Sequence, residues 1–155
     1  MAGEVRVGVV GLGNIAHLAH LPCLASFEDV SIVAASDTVE SAVKRATSMF
    51  RISHIFNDPH EMAEKAGLDC VFILTPPDTH AQLAERFLER GVDVFCEKPM
   101  SLRLKEAEDT VDSARVTRTK VEMNTNKRLN MSPITVTTLE VSIKIVPSFL
   151  RGCQM

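Results

Sequence analysis

The sequence predicts an α/β fold, a doubly wound parallel sheet with helices on both faces, and three observations predict it. Short apolar runs rich in β-branched residues recur along the first 125 residues. Segments of helical composition separate them, and glycine, proline, asparagine or aspartate marks most of the joints. Strands alternating with helices of this length form a parallel sheet through right-handed crossovers, which places ligands at the carboxyl ends of the strands.

Each element can be justified in turn. Val5-Arg6-Val7-Gly8-Val9-Val10 is nearly all apolar, as a central strand buried on both faces should be. After a glycine turn, Ile15 to Phe27 reads as a helix, with Pro22 as an internal kink or an early stop. Val30 to Ala35 is the second strand and ends at Ser36-Asp37; Glu40 to Met49 is helical, and His54-Ile55-Phe56 is a weak third strand. Asp58 is expected to cap a helix from Pro59 to Ala66, because proline suits the first helical position and the carboxylate accepts orphan backbone N–H groups. Gly67 should end that helix. Cys70 to Leu74 is the fourth strand, Thr79 to Arg90 a helix stopped by Gly91, Val92 to Cys96 the fifth strand, and Leu104 to Arg115 a further helix. Lys120 to Asn124 adds a candidate sixth strand. Beyond Asn130 the pattern changes: Thr135 to Ile145 alternates like a half-exposed strand, and Pro147 to Met155 has no helix period. Residues 1–125 are therefore expected to form one domain, and 126–155 a crossover remnant with an atypical tail.

Composition removes several classes of function. A chain of 155 residues supports one core. With 45% hydrophobic and 24% charged residues, neither disorder nor a fibrous repeat is expected. The net charge of -3, with Lys and Arg scattered among acidic residues, argues against a nucleic-acid partner. Cys23, Cys70, Cys96 and Cys153 form no CxxC pair, so no metal site of that kind is expected, and free thiols in a reducing cytoplasm fit best. The N-terminus lacks a signal-peptide pattern, and no apolar run approaches the ~20 residues that span a bilayer. A cytoplasmic protein with no membrane partner is the expectation; self-association stays open.

Gly11-Leu12-Gly13-Asn14-Ile15-Ala16 sits between the first strand and the first helix. Gly11 would permit the tight turn, Gly13 would let a pyrophosphate approach the backbone, and small Ala16 would let the helix pack close. Asn14 and Ile15 complete the phosphate-facing helix N-terminus, where the partial positive charge helps. A strand before, a helix after and an acid some way downstream favour the dinucleotide-binding turn of a Rossmann domain, with a plain packing turn or another nucleotide-like ligand such as S-adenosylmethionine as the alternative. Asp37, at the end of the second strand, can accept hydrogen bonds from ribose hydroxyls and would repel a 2′-phosphate, which favours NAD over NADP. Lys44 and Arg45 keep NADP in play, and Asp37 can also be read as a helix N-cap.

Two further clusters follow strand ends. Thr75-Pro76-Pro77-Asp78-Thr79-His80 comes after the fourth strand and Cys96-Glu97-Lys98-Pro99 after the fifth, where both loops would border the cofactor's ribose and nicotinamide. Lys98 could hydrogen-bond a substrate hydroxyl, or act as an acid or base if burial lowers its pKa, and Glu97 could orient it. The alternative is a surface Glu-Lys pair before a proline turn. His80 is read first as a helix-start packing residue and second as a catalyst. His17 and His20 are read as surface or packing residues rather than a metal pair, since no third ligand is evident.

Taken together, Gly11 to Ala16, Asp37, Thr75-Pro76-Pro77 with His80, and Glu97-Lys98-Pro99 resemble the glucose-fructose oxidoreductase / inositol dehydrogenase (Gfo/Idh/MocA) family over about residues 4–130. The resemblance implies NAD(P)-dependent oxidation or reduction of sugars, cyclitols and related polyols or carbonyl compounds. It makes Lys98 the motif lysine near nicotinamide and substrate, Pro99 the shaper of its turn, and Thr75 to Pro77, with His80 and Glu97, part of the cofactor surroundings. Family members are considerably longer, with a second α/β domain carrying a catalytic aspartate and histidine. That domain is expected to be missing here, so little or no turnover is expected of this chain alone. A non-catalytic NAD(H)-binding or interaction module is the alternative.

Overall fold

The computed structural model describes residues 4–123. Six strands, β1 (Val5–Val10), β2 (Val30–Ser36), β3 (His54–Phe56), β4 (Cys70–Ile73), β5 (Asp93–Cys96) and β6 (Val121–Met123), form one sheet in the order β3-β2-β1-β4-β5-β6. Every neighbouring pair is parallel. The connections carry α1 (Leu21–Ala25), α2 (Glu40–Met49), α3 (Pro59–Lys65), α4 (His80–Leu88) and α5 (Leu104–Thr117).

The apolar runs become the central strands because only there can both faces be covered. Val7, Val9, Val71, Ile73 and Val94 are all buried. α4 turns Leu83, Ala84, Phe87 and Leu88 into the core at helical spacing, and burying a Phe or Leu side chain of this kind contributes about 1.5–3 kcal/mol. Asp58 caps α3 as expected: its Oδ1 accepts the His60 N–H at 2.8 Å. Gly67 and Gly91 follow α3 and α4 with positive φ.

The first helix differs from the expected unbroken run. Ala16–His20 forms a π-helical turn in which the Leu21 N–H bonds the Ala16 carbonyl, and α1 begins only at Leu21, with Pro22 in its first turn. A proline ring clashes with the carbonyl four residues back. Widening the helix by one residue just before Pro22 relieves that clash. α4 likewise starts late, at His80, after a 3₁₀ turn over Pro77–Thr79.

Cys70 and Cys96 are free thiols, as expected, and burial pushes both up to about 12, which removes them as nucleophiles near neutral pH. Among the described residues no helix is long and apolar enough to cross a membrane. The alternating run Thr135 to Ile145 and the rest of the tail lie outside the described residues.

Candidate functional site

Because the sheet is parallel, every strand points its carboxyl end to one edge. The chain leaves β1 toward β2 and β3 on one side and toward β4, β5 and β6 on the other, so the strand order reverses between the β1 and β4 ends, where sheets of this kind place their ligands. Hydrogen bonds tie the motif loops into this edge: Gly11 N–H to Ser36 O at 2.9 Å, Leu74 N–H to Val10 O at 2.8 Å, and Glu97 N–H to Ile73 O at 3.0 Å. The sequence motifs around Gly11, Asp37, Thr75 and Glu97 are thereby brought to neighbouring positions.

Two glycines of the first turn serve different ends. Gly11 has φ +92°, and a Cβ there would meet the Leu74 carbonyl carbon at 2.8 Å and the Thr75 nitrogen at 2.9 Å. Backbone geometry and packing against the β4 exit both demand glycine. Gly13 lacks a positive φ, is exposed, and a Cβ there would meet no protein atom within 4 Å. Asn14 and Ile15 are exposed beside it, whereas Ala16 is fully buried. The first turn contains no acidic residue and no side-chain cap, so its orphan N–H groups stay uncontested for an anionic ligand.

Asp37 is tied to this turn. Its Oδ2 accepts the Leu12 N–H at 2.6 Å and its Oδ1 accepts the Val39 N–H at 2.7 Å. The N-cap position of α2 is Val39, so the capping alternative for Asp37 does not hold.

The β4 and β5 loops are held by buried rings. The Thr79 hydroxyl donates to Thr75 Oγ1 at 2.7 Å, bracing the Thr75-Pro76-Pro77 loop. His80, 1% exposed, places Nε2 2.6 Å from the Thr75 carbonyl and Nδ1 2.8 Å from the Pro99 carbonyl. Both are backbone acceptors, so this one ring bridges the β4 and β5 loops. His20 Nε2 lies 2.7 Å from Glu97 Oε1, while Glu97 Oε2 accepts the Lys98 N–H at 3.2 Å. The His20 ring packs against Phe72 and Phe95, with centroids 5.9 and 5.5 Å away, and these two rings stack on each other at 4.6 Å. Lys98 is exposed, no described residue pairs with its ammonium, and the Lys98–Pro99 peptide is cis.

The link from His20 to Glu97 is what sequence reasoning missed, since it left His20 as a surface or packing residue. The partners are 77 residues apart, and nothing local marks the pair. His17 is buried too, and burial, with the Arg45 cation nearby, holds its ring below the usual histidine value. Among the described residues, no group of three or more His, Cys, Asp or Glu side chains could hold a metal ion.

A family model described as an oxidoreductase family with an NAD-binding Rossmann fold matches residues 5–125. The chain belongs to this Gfo/Idh/MocA family. Among its Gfo/Idh/MocA relatives, the myo-inositol 2-dehydrogenase of Thermotoga maritima is 30% identical over 111 residues, which are 72% of this chain and 33% of that protein. The scyllo-inositol dehydrogenase of Lactobacillus casei, solved with bound NAD(H) and scyllo-inositol, matches with a TM-score of 0.73 at 28% identity, covering 78% of this chain and 36% of that one. A 3-ketoreductase from Actinomadura kijaniata, solved with TDP-benzene and NADP, matches at 0.72 and 27%, covering 79% and 38%. The chain thus spans about a third of the length of these Gfo/Idh/MocA proteins. Its described residues are a Rossmann domain of an NAD-binding oxidoreductase family.

Proposed function

We propose that this chain is the cofactor-binding part of an oxidoreductase that uses NAD in preference to NADP and acts on a sugar, cyclitol or related polyol, or on the matching carbonyl compound. The observation that carries this reading is Gly13. Neither φ nor packing requires glycine there, yet the space a Cβ would fill lies at an uncapped helix start beside Asp37, where a pyrophosphate needs close approach to backbone donors.

When bound, the nicotinamide accepts or supplies the hydride. Gly11, Gly13, Asn14, Ile15 and Ala16 form the backbone cradle for the pyrophosphate. The Asp37 carboxylate, already fixed by two backbone donors, has lone pairs left for ribose hydroxyls, and its charge disfavours a 2′-phosphate. Thr75, Pro76 and Pro77 border the cofactor from the β4 side. Lys98 is the group we assign to the substrate: its exposed ammonium stands ready to donate hydrogen bonds to the oxygen on the reacting carbon, holding it in place as the hydroxyl loses or gains its proton. Glu97 lies between His20 and the Lys98 backbone and fixes where that lysine starts.

NADH fluorescence titration tests the reading, with NADPH and S-adenosylmethionine as comparators. NADH should bind more tightly than either; preference for S-adenosylmethionine, or no NADH binding, overturns it. Following NAD⁺ reduction with scyllo-inositol, myo-inositol and hexoses tests whether this chain acts alone. Little or no turnover is expected, and robust oxidation by the purified chain would overturn its standing as a cofactor-binding part only.

A further inference from the structure

We propose that His20 and His80 are positioning residues that hold the Glu97-Lys98-Pro99 turn from its two sides, leaving the Lys98 side chain as the part of the turn free to meet a substrate. The proposal rests on the reading of Lys98 given above.

The two histidines reach the turn from different places in the chain. His20, in the π-helical turn after β1, bonds the Glu97 carboxylate before Lys98; His80, at the start of α4 after β4, bonds the Pro99 carbonyl after it. Each ring has little choice of position. His20 is confined by Phe72 and Phe95, and His80 spans a second carbonyl, Thr75 O, so that one imidazole sets the separation of the β4 and β5 loops. At 7% and 1% exposure neither ring presents a surface to a ligand, so their effect on chemistry must pass through the turn they hold. The bond to Glu97 is charge-assisted in a largely apolar setting, with the carboxylate side chain only 13% exposed, where such bonds are stronger than in water. A lysine on a four-carbon stem is positioned only as well as its Cα, and here both flanking residues are anchored.

The test is NMR of the ¹⁵N-labelled 155-residue chain. In the ligand-free protein, His20→Phe should shift the Lys98 amide resonance and speed its hydrogen exchange about tenfold, while the Gly11 and Gly13 amides stay in place. His20→Gln, which restores an N–H donor to Glu97, should recover most of the change. His80→Phe should shift the amides of Thr75 and Met100, the residues bordering its two carbonyl partners. If His20→Phe does not fold, His20→Leu, which also removes the ring nitrogens while leaving Glu97 and Lys98 unaltered, should give the same shift at Lys98. An unmoved Lys98 amide in these variants, or failure of His20→Gln to rescue it, overturns the proposal and leaves His20 a packing residue. Adding NADH and scyllo-inositol to the unaltered chain probes Lys98 itself: if the Gly13 amide shifts and Lys98 does not respond, the reading of Lys98 fails, while the brace is judged on the ligand-free spectra.

Discussion

The two sides of the strand-end edge are shaped by opposite means. On the β1–β2 side the turn is defined by what is missing: no Cβ at Gly11 or Gly13, no acidic residue and no cap at the helix start. The Asp37 carboxylate there bonds backbone. On the β4–β5 side the loops are defined by what fills them, two buried imidazoles, two stacked phenyl rings and a hydroxyl pair. The contrast follows from what each side would offer a ligand. A loop that binds with its backbone must be bare, whereas a loop that presents one mobile side chain needs rigid support under it.

Gly11→Ala should break the comparison most severely. The new Cβ would lie under 3.0 Å from β4 exit backbone, at a φ that disfavours any side chain. Strain and overpacking of this kind cost about 3 kcal/mol together, and urea denaturation would measure the loss. A loss below about 1 kcal/mol would show that the turn can move away from β4.

Gly13→Ala separates bareness for packing from bareness for a ligand. Nothing of the protein occupies the Cβ position, so stability should hold or rise by up to about 1 kcal/mol through the unfolded chain. NADH affinity should nevertheless fall about tenfold, equivalent to ~1.4 kcal/mol. Equal NADH binding by this variant would remove the observation on which the proposed function chiefly rests.

Asp37→Asn asks how much of that side depends on charge. The amide oxygen keeps one of the two backbone bonds, so stability should drop by only about 1 kcal/mol. The ratio of NADH to NADPH affinity should fall about tenfold once a 2′-phosphate no longer meets a carboxylate. Titrating the variant with both cofactors decides it, and an unchanged ratio would move the selectivity elsewhere.

These differences also explain what could be read from the sequence. The strands and the glycine turn were legible because their causes are local: apolar runs, a φ only glycine accepts readily, and a proline that suits a helix start. Asp37 and the Glu97-Lys98-Pro99 run could be placed at strand ends for the same reason. The π-helical turn was not legible, since Pro22 permits a kink, a stop or a widened turn, and packing chooses among them. Nor was the brace: His20 meets Glu97 across 77 residues, and His80 meets Pro99 across 19, in a register that exists only once β4 and β5 have paired.

The smallest effect concerns His17, the buried histidine of the bare side. Unlike His20 and His80, its ring nitrogens have no hydrogen-bond partner among the described residues; the Leu12 and Ala42 backbone lies near enough to offset part of the penalty without a bond of ordinary geometry. Burial first, and the Arg45 cation second, hold its ring below the ordinary histidine value of about 6.5 in the folded state. Above 6.5 the ring is mostly neutral whether folded or not, and stability does not depend on it. From there down to the depressed native value the unfolded chain carries more protons, so stability is lost across that window and levels off below it. Replacing the ring with a phenyl, His17→Phe, removes the titrating group but keeps the contact with Phe50, whose centroid is 6.3 Å away. Urea midpoints at pH 7.5 and pH 5 should therefore lie closer together in His17→Phe than in the unaltered chain. If the two proteins lose stability in parallel as the pH falls, His17 stays as easy to protonate after folding as before, and the bare side hides no buried charge cost.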